Sequence, residues 1–189
     1  IELNAIKGGE IFNNNIWTML PLSSSKILIG TTNDGLFILE NNLIYSWNVP
    51  VNDFLKSKQI YCATKIQNDF YAFGTIQDGL VIIDKNANIL QHINRGNGLQ
   101  NNTILSIYSD NNTNLWLGLD NGIDYLVVNS PLTSLVNNSE IGAGYASIVY
   151  KDKIYLGTNQ GLFYKAWKEC FNPVLNNYQF KLVENTSGQ

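Results

Sequence analysis

The sequence predicts an all-β chain, a β-propeller fragment of about four blades of four antiparallel strands each, with one extra N-terminal strand. Three observations carry this. One strand-and-turn pattern recurs four times, as "IGTTNDGLFIL" (29–39), "FGTIQDGLVII" (73–83), "LGLDNGIDYL" (117–126) and "LGTNQGLFYK" (156–165). The strand glycines Gly30, Gly74, Gly118 and Gly157 stand 44, 44 and 39 residues apart, and a strand-rich period near 40–45 residues is that of propeller blades. Each period also holds short apolar runs separated by polar turns, enough for four strands of about five to seven residues.

Each unit opens on an apolar or alternating strand: "IWTMLPL" (16–22), "IYCATKI" (60–66), "TILSIYS" (103–109) or "YASIVYK" (145–151). A polar turn follows, "SSSK", "QND", "DNNTN" or "DK". The second strand ends in glycine: "ILIG", "FYAFG", "LWLG" or "IYLG". A tight turn then leads to the third strand, "LFILE", "LVIID", "IDYLVV" or "LFYKA". Three of these turns end in Asp34-Gly35, Asp78-Gly79 and Asn121-Gly122, dipeptides that reach positive φ at little cost; the fourth keeps the glycine as Gln160-Gly161. A weaker fourth segment closes the unit: "LIYSWNV", "ILQHINR", "LTSLV" or "YQFKLVE".

The second strands decide how the sheets are arranged. "LWLG" and "FYAF" are apolar on both faces, whereas a half-exposed antiparallel strand alternates. Both faces must be covered, as they are when blades stack side by side. The strand glycines then mark close backbone approach or a bulge. A β-sandwich also has short strands at close spacing, but it does not require one sequence to return every 40–44 residues. The predicted boundaries are 16–50, 60–97, 103–137 and 145–184, with 1–15 as the last strand and loop of a preceding blade. The chain opens at Ile1 without Met and reads as an excised piece.

Composition narrows the function. The chain has 189 residues, is 44% hydrophobic and 14% charged, and carries a net charge of −3. Without a basic run, it offers little to nucleic acid or an anionic membrane surface. No run of 18 apolar residues predicts a membrane span. The two cysteines, Cys62 and Cys170, are too few for a disulfide framework; they read as small buried hydrophobes, with a single bridge in an oxidising compartment as the other reading.

The segment "GLQNNTILSIYSDNNTNLWLGLDNGIDYL" (98–126) resembles the two-component-regulator propeller repeat, through Gly98, Leu99, Asn102, Asp110, Asn114, Leu115, Trp116, Leu117, Gly118, Asn121, Gly122 and Ile123. The other three units resemble it more loosely. That resemblance implies the periplasmic sensor region of a Bacteroidetes inner-membrane regulator, with either a hybrid histidine kinase or a helix-turn-helix domain as output. It implies rings of seven blades and ligands that are often breakdown products of polysaccharides.

Catalytic and metal chemistry find no support in the residues. The single histidine, His92, reads as a half-exposed residue of a fourth strand, on the blade's outer edge and far from the turns. One histidine without a cysteine cluster makes no zinc site and no Ser-His-Asp set. "DNNTN" (110–114) lacks the central Gly and the bidentate Glu of a calcium loop and reads as a hairpin turn. No cofactor is implied. A ligand is expected on the end that carries the second-to-third-strand turns and the loops between blades, at Asn33, Asp34, Gln77, Asp78, Arg95, Asn97, Gln100, Asp120, Asn121, Asn159 and Gln160. Amides and carboxylates converging there suit sugar hydroxyls, although Asx-Gly at a turn is first a backbone requirement. Trp47 and Tyr45 could stack on a sugar or pack in the core.

The sequence thus reads as a non-enzymatic, ligand-sensing region of a transmembrane regulator, with an oligosaccharide as ligand and self-association or the rest of the parent ectodomain as partner. The alternatives are a protein-interaction or dimerisation scaffold and, less favoured, a propeller lyase.

Overall fold

The computed structural model describes residues 6–11, 15–130, 141–171 and 179–187. Among the described residues there are four antiparallel sheets, each wound in chain order. The first contains β1 (Ile16–Pro21), β2 (Lys26–Thr31), β3 (Leu36–Glu40) and β4 (Leu43–Ser46). A helix, α1 (Pro50–Lys58), leads to the second sheet of β5 (Ile60–Ile66), β6 (Phe70–Thr75), β7 (Leu80–Ile83) and β8 (Ile89–Ile93). The third holds β9 (Ile104–Ser109), β10 (Leu115–Leu119) and β11 (Ile123–Leu126); the fourth holds β12 (Gly144–Tyr150), β13 (Lys153–Thr158), β14 (Gly161–Ala166) and β15 (Lys181–Leu182). These antiparallel sheets are those of an all-β propeller fragment, the expected fold class. The expected fourth strand of the third blade, "LTSLV", and most of the expected N-terminal strand lie outside the described residues. Lys7 makes an isolated parallel bridge to Leu43 on the outer edge of β4.

The chain divides into two compact units, Ile1–Arg95 with Leu99–Pro131, and Gly96–Gly98 with Leu132–Gln189. In the first unit the sheets stack face to face, and β6 and β7 show why. Tyr71 and Phe73 of β6, with Val81 and Ile83 of β7, pack on Leu28, Leu36 and Ile38 of the first blade. Their alternates, Ala72, Leu80 and Ile82, pack on Ile104, Leu115, Leu117 and Leu119 of the third. Period-2 alternation sends successive side chains to opposite faces, and both faces of this central blade are apolar because both are buried. Each large side chain so buried stabilises by roughly 1.5–3 kcal/mol. On the third blade the same reading holds for one face only: Leu115 and Leu117 are fully buried, while Trp116 between them is 47% exposed and leans on Tyr125.

Helix α1 was not expected between the blades. Pro50 opens it at a position where a missing N–H costs nothing. Val51 and Leu55, one turn apart, join the core between the first and second blades. Gln59 ends it in the left-handed conformation, with φ of 61°.

Every first strand carries a bulge at the same place. Ile16 pairs with Thr31 and Thr18 with Gly30, so Trp17 faces no partner. Tyr61 stands extra between Ile60 and Cys62, Leu105 between Ile104 and Ser106, and Tyr145 between Gly144 and Ala146. The strand glycine sits opposite the residue that follows the bulge. At Gly74 a Cβ would meet Cys62 Sγ at 2.6 Å and Ile104 Cγ2 at 2.7 Å, which is the close approach predicted for it. At Gly157 the nearest atom, Ala146 Cβ, would be 3.8 Å away, so there a Cβ fits in ordinary contact.

The second unit is a four-stranded blade with a short last strand. β13 pairs along its length with both β12 and β14, and Phe163 and Tyr164 pair with Leu182 and Lys181. Ile141, Ile154 and Phe163 are its buried hydrophobes among the described residues.

Candidate functional site

The candidate site is the end of the first unit that carries the β2–β3, β6–β7 and β10–β11 turns. A threonine builds two of them. Thr31 Oγ1 donates to the Gly35 carbonyl at 2.9 Å and accepts from the Asp34 amide at 3.1 Å. Thr75 repeats this with Gly79 and Asp78, at 2.9 and 3.0 Å. In the fourth blade Thr158 does the same with Gly161 and the Gln160 amide, both at 3.1 Å. The dipeptides Gly30-Thr31, Gly74-Thr75 and Gly157-Thr158 were visible in the repeat, and their hydroxyl was the missed signal. Leu119 replaces the threonine in the third blade and keeps only the backbone bond, Leu119 N to Gly122 O at 3.0 Å, which Thr31 N and Thr75 N also make to Gly35 O and Gly79 O.

Backbone bonds tie each turn to the chain entering the same blade. Thr32 N donates to Asn15 O, Ile76 N to Gln59 O and Asp120 N to Thr103 O. The third blade's entry also reaches the second blade's turn, through Gly79 N to Asn102 O at 2.9 Å and Thr103 Oγ1 to Ile76 O at 2.8 Å. Turns and between-blade loops therefore share one end of this unit, as expected.

Several predicted ligand residues are engaged within the chain. The Asp78 carboxylate accepts from Asn94 Nδ2 at 2.8 Å and pairs with Lys58 Nζ at 3.2 Å. Gln100 is clamped to Asp124, through its amide at 2.9 Å and its Nε2 at 2.6 Å. Asp34 is half-buried, Arg95 is exposed and gives its backbone amide to Asn102 Oδ1 at 2.7 Å, and Asn97 is half-buried in the same loop. Asn33, Gln77, Asp120 and Asn121 form the exposed turn tips. In the second unit, Asn159 Oδ1 accepts from the Ala143 amide at 2.7 Å and Gln160 is exposed.

His92 differs from expectation. It lies in β8, the fourth strand, but is only 5% exposed. Its Nε2 is 2.9 Å from the Asp78 carbonyl oxygen and Phe54 of α1 meets its ring edge-on, with centroids 5.0 Å apart. The unforeseen helix covers the histidine and the adjacent turn gives it a partner. Trp47 packs against the core between the first and second blades, and Tyr45 donates its hydroxyl to Glu40 at 2.9 Å. At "DNNTN", Asp110 Oδ1 accepts the amides of Asn112 and Asn114 at 2.8 and 3.0 Å, a hairpin turn. Both cysteines are free. Burial pushes the Cys62 thiol up to about 12.

The stacked antiparallel sheets of the first unit, two of four strands and one of three among the described residues, define a propeller-type repeat chain. Residues 98–121 match the family described as two component regulator propeller, and this segment is similar to that family's repeat. No curated protein sequence matches the chain. Among solved structures, it is similar to one described as the extracellular domain of a one component system, BT4673 of B. thetaiotaomicron, with 18% identity over 93% of this chain and a TM-score of 0.50. It is also similar to PorZ, described as a surface component of the type-IX secretion system of Porphyromonas gingivalis, with 16% identity over 77% of this chain and a TM-score of 0.50. The chain spans 23% and 22% of those two structures. At such identity the likeness is one of fold.

Proposed function

We propose that this chain is part of the extracytoplasmic sensing region of a transmembrane signal-transduction regulator, that it binds an oligosaccharide rather than transforming one, and that it works in the periplasm. The observation that carries this reading is the two component regulator propeller match at residues 98–121. The rim supports it: three exposed amides, Asn33, Gln77 and Asn121, and one carboxylate, Asp120, can hydrogen-bond sugar hydroxyls in pairs. The burial of His92 against Asp78 and Phe54 removes the one imidazole from the exposed rim and supports a non-catalytic reading. No helix among the described residues is long and apolar enough to cross a membrane, so the regulator's span would be supplied elsewhere in the parent.

Calorimetric titration of the intact parent ectodomain with a panel of plant and host oligosaccharides tests this. Binding to one glycan class, with the same glycan switching on a reporter driven by the full-length regulator, is the expected result. Heat with a protein partner and none with any glycan would instead favour the scaffold reading.

A further inference from the structure

The first-strand bulges place large side chains where regular pairing would not. A bulge bends its strand and re-aims the extra residue, and here it recurs in all four blades. The extra residues are Trp17, Tyr61, Leu105 and Tyr145, three of them aromatic. Ile104 is fully buried while Leu105 beside it is 39% exposed; Trp17 is 44% exposed, and Tyr61, which follows the fully buried Ile60, is half-buried. In the first unit the Trp17 and Tyr61 rings stack on one another, with centroids 4.5 Å apart and planes 27° apart.

This pair stands beside the rim amides. Thr32 N bonds Asn15 O, two residues before Trp17, and Gln77 N bonds Lys58 O, three residues before Tyr61. The exposed Asn33 and Gln77 thus belong to turns pinned next to the aromatic pair. A half-exposed aromatic stack bordered by amides matches a ring with an apolar C–H face and a hydroxylated edge. The stack exists before any ligand arrives, so little side-chain freedom is lost on binding.

We infer that Trp17 and Tyr61 form a stacking platform for a pyranose ring of the oligosaccharide, with Asn33 and Gln77 at its hydroxyl edge. This rests on the sensing reading above and adds to it the place and mode of contact. The four turns are first a backbone device; the bulge aromatics are the part of this end that backbone geometry does not require.

The test uses the full 189-residue chain with malto-, cello-, xylo-, arabino- and galacto-hexaose as probes and adenosine as a flat aromatic control. N-bromosuccinimide oxidises exposed indoles, and mass spectrometry follows Trp17, with the exposed Trp116 as internal reference. With a bound saccharide at about four times its Kd, occupancy alone slows Trp17 oxidation about fivefold, and Trp116 keeps its rate. Trp17→Ala weakens that saccharide by about tenfold or more, while Trp17→Tyr, which keeps a ring, stays within roughly threefold. If Trp17→Ala does not fold, the footprint on the unsubstituted chain decides. A saccharide that binds without slowing Trp17 oxidation overturns the platform and leaves glycan sensing intact. Protection by adenosine and by no saccharide overturns the ligand class. Silence from every probe on this chain overturns the platform, while the ectodomain titration decides the sensing reading separately.

Discussion

Asn52 Oδ1 accepts a hydrogen bond from the Leu36 amide at 2.7 Å. The same carboxamide donates from Nδ2 to the Trp47 carbonyl at 2.9 Å. Asn52 is 3% exposed, so this one side chain on α1 satisfies backbone groups of the β2–β3 turn and of the segment leaving β4. Replacing it with leucine strands a buried amide and a carbonyl, which costs about 1–3 kcal/mol per group. Asn52→Leu is therefore expected to lower the urea midpoint substantially. Aspartate restores the acceptor but not the donor and brings a charge, so it does not rescue. An unchanged midpoint in Asn52→Leu would show that water or a shifted backbone replaces the bridge.

Gly74 leaves no room for a side chain. A methyl there would press on Cys62 Sγ and on Ile104 of the third blade. Gly74→Ala is expected to cost about 1–3 kcal/mol through overpacking. Pairing it with Cys62→Ala removes one of the two obstructions and should recover part of the loss. Denaturation of the single and double variants measures this, and equal midpoints for the two would locate the strain entirely at Ile104.

The turn threonine makes a graded prediction. Thr75 is fully buried and its hydroxyl makes two hydrogen bonds, at 2.9 and 3.0 Å. Thr75→Val keeps the shape and removes both, leaving the Asp78 amide without its acceptor, for an expected loss of about 1–3 kcal/mol. Thr75→Ser keeps the oxygen and is expected to lose less. Thermal melts should rank wild type, serine, then valine; valine equal to wild type would rule out the hydroxyl as the turn's fastener.

Cys62 links folding to alkaline pH. Burial raises its thiol from 9.0 to about 12, while its backbone hydrogen bond at Gly74 pulls the other way. The folded chain therefore holds this proton where the unfolded chain releases it. The thiol's contribution to stability is complete below pH about 9 and is lost as pH rises toward about 12. Stability measured over this window should fall less steeply in Cys62→Ala than in the parent. Native Cys62 should also resist iodoacetamide at pH 8, where its thiolate is scarce, and react once the chain is unfolded. Rapid alkylation of the native chain would contradict the burial.

Period, sheet count, turn positions and the pairing of strand with strand were readable in the chain because each follows from local rules: alternation, Asx-Gly turns and the return of one pattern every 39 to 44 residues. The rim residues were readable as positions, but their side-chain partners were not. Asp78 and Gln100 look like ligand groups in the sequence; Lys58 and Asn94 claim one, and Asp124 claims the other. Helix α1 left a trace in Pro50, Val51 and Leu55, but nine residues between two strong strands carry too little periodicity to stand against them.

By itself, then, the sequence determined the blades, because every blade repeats the same short-range instructions. The tertiary structure alone decided how those blades are used. Alternation says which side chains share a face, but not that Phe54 and Asp78 converge to bury His92, or that an extra residue in each first strand turns Trp17 onto Tyr61. These depend on chain segments tens of residues apart arriving at one place, and no local pattern encodes that meeting.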